Sequence, residues 1–167
     1  LNLKSISEIT SQPLIYDVDF HADSLFVATA NGVFLTLIPK GEPQPLQDER
    51  SKLYKDDVLA IVRGRNARYF WTGRMVVKQS SSGWAYYVTP GLMPVPQRSV
   101  TGRDSLIILG GTGGVTIYNP ETYFQLSLTQ RDGLLSDEVT GVYLQGRWLW
   151  IATDAGYSRF DLSSVIP

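Results

Sequence analysis

The 167-residue sequence predicts an all-β fold of the β-propeller type, built from about four blades of antiparallel strands, on three observations. First, apolar residues alternate or run in short bursts, such as "LFVAT", "LAIV", "YFWT", "LIIL", "VTIY" and "WLWIAT". These are rich in β-branched and aromatic types and bounded by Gly, Asn, Asp or Pro. Second, no stretch carries a sustained helical period with caps, and the best helix candidate, "QDERSKLYKDDVL", reads as a polar loop leading into a strand. Third, the chain resembles itself at half its length. "DSLFVATANGVF" begins at Asp23 and "DSLIILGGTGGVT" at Asp104, an offset of 81, and Val58 and Val139 repeat that offset in "KDDVLAIVRGR" and "SDEVTGVYLQGR". Within each half a period of about forty residues recurs, the length of one propeller blade.

The blades are expected near residues 11–50, 51–90, 91–130 and 131–167, in a single propeller-type unit that closes on itself, is a partial propeller, or is half of a dimeric one. The first is read as strands over 16–20, 25–29 and 33–38 with a weak stretch near 46. The second covers 58–62, 69–72, 75–78 and 84–88, and the third 98–102, 106–110, 115–118 and 124–128. The last has only 139–144, 148–153 and 157–161. Residues 1–10 are expected to complete another blade, so the termini offer self-association when the ring does not close on itself.

"GGTGGVTIYNP", Gly110 to Pro120, has the glycine content of a phosphate cradle. Such cradles precede a helix, whereas here the strand "VTIY" follows. Gly114 instead shares its repeat position with Gly32 and Gly156, which follow the turn pairs "AN" and "DA", so the stretch is read as a hairpin needing positive φ.

Composition excludes several function classes. Fifteen Lys+Arg against sixteen Asp+Glu, scattered without a basic run, argue against nucleic acid or an anionic membrane as partner. The longest apolar runs fall far short of the ~20 residues of a spanning helix. The opening "LNLKSISE" lacks the pattern of a signal peptide, and a chain that opens with Leu is expected to be cut from something longer. Zero cysteines and one histidine leave no disulfide framework, thiol nucleophile or Cys/His zinc cluster.

The stretch "RDGLLSDEVTGVYLQGRWLWIATDAGYSRFD" resembles the two-component regulator propeller repeat at Gly133, Leu134, Asp137, Val139, Gly146, Leu149, Trp150, Ile151, Thr153, Gly156, Phe160 and Asp161. It departs from that pattern at Ala152, where Gly is common, and at Tyr157, where Leu is common. The resemblance covers one blade, and spacing supports the other three. It implies a propeller segment of a bacterial sensor or surface protein, periplasmic or at the cell surface, with a glycan or protein as partner and no enzymatic activity or cofactor as a rule.

Site candidates follow from position. Propeller ligands sit where turns and connections gather at one end, which selects Asn31, Arg74, Arg131, Asp132 and Asp154, residue types equally at home as solvated turn residues. Trp84 and Tyr86, near Tyr87 on an outer strand, form a candidate binding strip. Trp71 and Trp150 are read as equivalent repeat positions packed between blades. "DVDFHAD" gathers Asp17, Asp19, His21 and Asp23 and invites a metal reading. The glycine and distal Glu of a calcium loop do not follow, so no metal ligand set is assigned. No catalytic constellation stands out, and fold alone does not choose between a binding module, a lyase or glycosidase on the same scaffold, and a structural assembly piece. Convergence of Asp17, Asp19 and His21 with a polar group from another blade is the feature that favours an enzyme.

Overall fold

The computed structural model describes residues 14–38, 41–47, 53, 56–89 and 97–164. The predicted all-β, propeller-type architecture is what these residues form: antiparallel sheets in sequence order, one per repeat. The chain divides into two compact units, Leu1–Thr89 and Pro90–Pro167, each holding two sheets.

In the first unit, β1 (Ile15–His21), β2 (Ser24–Thr29), β3 (Gly32–Leu37) and the two-residue β4 (Gln44–Pro45) make one sheet. Strands β5 (Ala60–Arg63), β6 (Ala67–Trp71), β7 (Met75–Ser80) and β8 (Gly83–Val88) make the next. Their core holds Phe26, Ala28, Val33, Leu53, Val58, Ile61, Phe70 and Val77. Leu53, within the stretch read as a polar loop, is a turn residue whose side chain is fully buried in this core.

In the second unit, β9 (Gln97–Arg103), β10 (Leu106–Gly111), β11 (Gly114–Asn119) and β12 (Phe124–Leu128) form a four-stranded sheet. Strands β13 (Val139–Gln145), β14 (Trp148–Thr153) and β15 (Gly156–Asp161) form a three-stranded one. The strand expected from residues 1–10 lies outside the described residues.

The hairpin reading holds: Gly32, Gly114 and Gly156 have φ of 97°, 104° and 137°. The hydroxyls of Thr29, Thr72 and Thr153 donate to the carbonyls of Gly32, Met75 and Gly156, closing the β2–β3, β6–β7 and β14–β15 turns in one manner. This shared turn sets the repeat register. It pairs Trp71 with Ala152 and Trp150 with Tyr69, so Trp71 and Trp150 are not equivalent.

The motif of the last blade has a physical reading. Thr129 caps the short 3-10 turn Gln130–Asp132, and Gly133 ends it at φ 102°. The Asp137 side chain accepts the Gln130 N–H at 2.6 Å, and its carbonyl accepts those of Gly113 and Gly114 at 2.9 Å each. Leu134 and Val139 are buried in the core of this unit.

Candidate functional site

Strands β1 and β5 lie side by side in parallel within the first unit, and three hydrogen-bonding side chains of β1, Asp17, Asp19 and His21, reach across. Asp17 Oδ2 accepts the Ile61 N–H at 2.8 Å, while its Oδ1 accepts that of Val18 at 2.8 Å. One pleat further, Asp19 Oδ1 accepts from Arg63 Nε at 3.1 Å and from Arg63 Nη2, and Oδ2 accepts from Arg68 Nε at 3.0 Å. Arg63 Nη2 also donates to the Phe20 carbonyl at 2.7 Å, and Nη1 lies 3.1 Å from His21 Nδ1. A guanidinium only donates, so a hydrogen bond here requires the His21 tautomer whose Nδ1 accepts. The Arg68 guanidinium stacks 3.6 Å from the centroid of Phe26.

These groups border a cleft of about 350 Å³ lined by His21, Arg63, Arg65, Arg68, Gln79 and Ser80 together with the Gly64–Ala67 turn. The Asp19 side chain is 11% exposed and that of Arg68 14%. Burial works to raise the Asp19 pKa, but the hydrogen bonds and charges of Arg63 and Arg68 outweigh it and hold the carboxyl below its usual value. Asp17 is raised, by burial first and by its neighbour Asp19, against the Ile61 and Val18 N–H groups.

Comparison of the two units shows what is unusual here. The second unit repeats the inner contact, with Ser99 Oγ accepting the Val142 N–H at 3.1 Å. At the next pleat it has Thr101, Leu144 and Leu149 where the first unit has Asp19, Arg63 and Arg68. Leu149 is fully buried and Leu144 packs against the same core. One repeat position thus serves hydrophobic packing in the second unit and an ion-paired cleft wall in the first. Desolvating the Arg68 guanidinium and the Asp19 carboxylate is a cost that the leucines avoid.

The other expected residues stand elsewhere. Asn31 and Arg74 are exposed on the β2–β3 and β6–β7 turns, at the ends of their strands opposite the cleft. Asn31 donates its N–H to Thr29 Oγ1, and the Arg74 carbonyl accepts from Thr89 N and Oγ1. Trp84 and Tyr86 are half-buried against the core, with Trp84 6.4 Å from Phe70. In the second unit, the Asp132 carboxylate accepts from Thr129 N and Oγ1 at 2.9 Å each. Arg131 donates its N–H to Thr129 Oγ1, and the Asp154 N–H donates to the Glu138 carbonyl.

Trp150 is a correction: it is half-exposed beside Tyr157 and Arg159, at 6.3 Å and 5.6 Å, with Arg159 also 4.2 Å from the Trp148 ring. The equivalence that suggested burial does not hold in the observed register, whereas Trp71 is fully buried as expected.

Sequence reading singled out Asp17, Asp19 and His21 but missed Arg63, Arg65 and Arg68. The signal was present in "VRGRNAR", where Arg63 and Arg68 fall at positions that "YLQGRWL", 81 residues on, fills with Leu144 and Leu149. The acidic residues do converge with polar groups from another blade. Asp17, however, is held by two backbone N–H groups and does not line the cleft, and both oxygens of Asp19 are engaged by arginines.

No family profile matches the sequence, and comparison with curated proteins finds no match. Solved structures do resemble it. The extracellular domain of the putative hybrid two component system BT4673 from B. thetaiotaomicron aligns with a TM-score of 0.66 at 13% identity, over 92% of this chain and 21% of that one. That of BT3049 from the same organism aligns at 0.65 and 18%, over 92% and 22%. The computationally designed Ika8 protein aligns at 0.66 and 15%, over 92% and 47%. The chain thus spans about a fifth of the two sensor domains, and at these identities the likeness is one of fold. It agrees with the resemblance of the last blade to sensor propeller repeats. No helix among the described residues is long and apolar enough to cross a membrane.

Proposed function

We propose that this chain is a non-catalytic, ligand-binding propeller segment of an extracytoplasmic sensor or surface protein, and that the cleft between β1 and β5–β6 is its ligand site. The observation that carries this reading is the replacement of core leucines by Arg63 and Arg68 at one repeat position. A propeller core does not require the exchange, and a recognition surface uses it. The fold of the extracellular sensor domains supports the sensor assignment, with a glycan or protein as the class of partner.

The cleft assignment is tested by backbone amide NMR of the full chain titrated with a panel of oligosaccharides. Saturable shifts at Arg65, Asn66, Gln79 and Ser80 are the expected result. Shifts confined to the Asn31, Arg74, Asp132 and Asp154 turns would move the site to the opposite strand ends. The sensor assignment is tested by the gene, which is expected to encode a signalling domain as well.

A further inference from the structure

Resting on the assignment of the cleft as ligand site, we infer that its occupant carries a carboxylate, held by the guanidiniums of Arg65 and Arg68. The argument begins with available donors. Arg68 spends its Nε–H on Asp19, while its Nη groups have no acceptor among the described residues and remain open to the cleft. Asp19 is not free to serve them, because its other oxygen is engaged by Arg63. Arg65, three residues before Arg68 on the β5–β6 turn, is exposed and has no hydrogen bond or ion pair among the described residues.

Charge points the same way. Arg63, Arg65 and Arg68 line the cleft, and among the described residues Asp19 alone is ion-paired with them and no carboxylate lines it. This local positive excess stands in a chain of formal net charge -1. A neutral ligand would leave it uncompensated, whereas the two oxygens of a carboxylate match the fork of a guanidinium whose plane is already fixed. The fixing groups are Asp19 on Nε and the Phe26 ring on one face. A cleft of about 350 Å³ suits one or two sugar rings, and Asn66 and Gln79 offer amide groups to their hydroxyls. The ligand class is therefore an acidic saccharide.

The experiment follows the arginine Nε–H signals of the full chain during titration with D-glucuronate, D-glucose and inorganic phosphate at constant ionic strength. Glucuronate is expected to shift Arg65 and Arg68 saturably, with glucose and phosphate each at least about tenfold weaker. Arg65→Gln is expected to weaken glucuronate at least about tenfold without changing the melting temperature, since Arg65 has no hydrogen bond or ion pair among the described residues. Equal binding of glucose and glucuronate in the cleft would overturn the carboxylate while leaving the cleft as ligand site. Phosphate binding as well as glucuronate would overturn the saccharide, leaving an oxyanion. Glucuronate shifts confined to residues outside the cleft would overturn the cleft assignment as well, and no shift at about 50 mM would overturn the inference.

Discussion

The carboxylate of Asp17 accepts the backbone N–H of Ile61 at 2.8 Å, 44 residues further along the chain, and so joins one blade to the next. Ser99 does the same for Val142 at 3.1 Å, 43 residues apart. The repeat conserves the role of the position while changing its chemistry from a charged acceptor to a neutral one.

Ser99→Ala is expected to destabilise the protein by about 1–3 kcal/mol, because the N–H of buried Val142 loses its acceptor. Ser99→Thr keeps the hydroxyl and is expected to recover most of the loss. Urea unfolding of the two variants measures the difference, and equal stabilities for Ala and wild type would show that the bond contributes nothing.

Asp17 and Asp19 are expected to respond to pH with opposite signs. The raised pKa of Asp17 means that the folded state binds the proton more tightly, so this group's contribution falls as pH rises from the ordinary carboxylate value through the raised one. The lowered pKa of Asp19 means that its contribution is present above the ordinary value and lost as pH falls through the lowered one. Asp17→Asn is therefore expected to gain stability relative to wild type between about pH 3 and pH 7, and Asp19→Asn to lose it over the same range. At neutral pH the Asp19→Asn loss is expected to reach about 2 kcal/mol or more, since two guanidiniums lose their counterion. Thermal melts at both pH values decide, and parallel curves for the two variants would refute the assignment.

The two tryptophans at similar places in their strands are expected to differ. Trp71→Ala removes a fully buried side chain and should lower stability by about 3–5 kcal/mol. Trp150→Ala removes a half-exposed ring tilted against Tyr157 and within reach of the Arg159 guanidinium, with an expected loss of about 1–2 kcal/mol. Equal losses would mean that Trp150 is buried in solution.

Adjacent glycines of the β10–β11 turn separate conformational from steric effects. Gly113 has φ 100° and open space around it, so Gly113→Ala is expected to cost about 1–2 kcal/mol. At Gly114, with φ 104°, an added Cβ would overlap the Leu128 carbonyl oxygen, and Gly114→Ala is expected to cost about 1–3 kcal/mol more. Calorimetric melting of the pair checks the order, which reversal would refute.

The sequence by itself determined the strands, their order and their grouping into repeats. Alternation and turn residues are local properties, and the 81-residue offset is visible without coordinates. It also marked Asp17, Asp19 and His21 as unusual strand residues. The tertiary structure decided which face of β1 they occupy and what meets them. Tyr16, Val18 and Phe20, the apolar alternates, are exposed, while Asp17 and Asp19 turn toward β5. A two-residue period defines two faces but not which of them a neighbouring sheet covers, since that depends on partners 44 and 49 residues away. Arg63 and Arg68 read locally as ordinary polar strand residues. The 81-residue offset sets them against Leu144 and Leu149, but only the structure, in which Leu149 is fully buried and Leu144 packs on the same core, shows that the second unit uses these positions for packing.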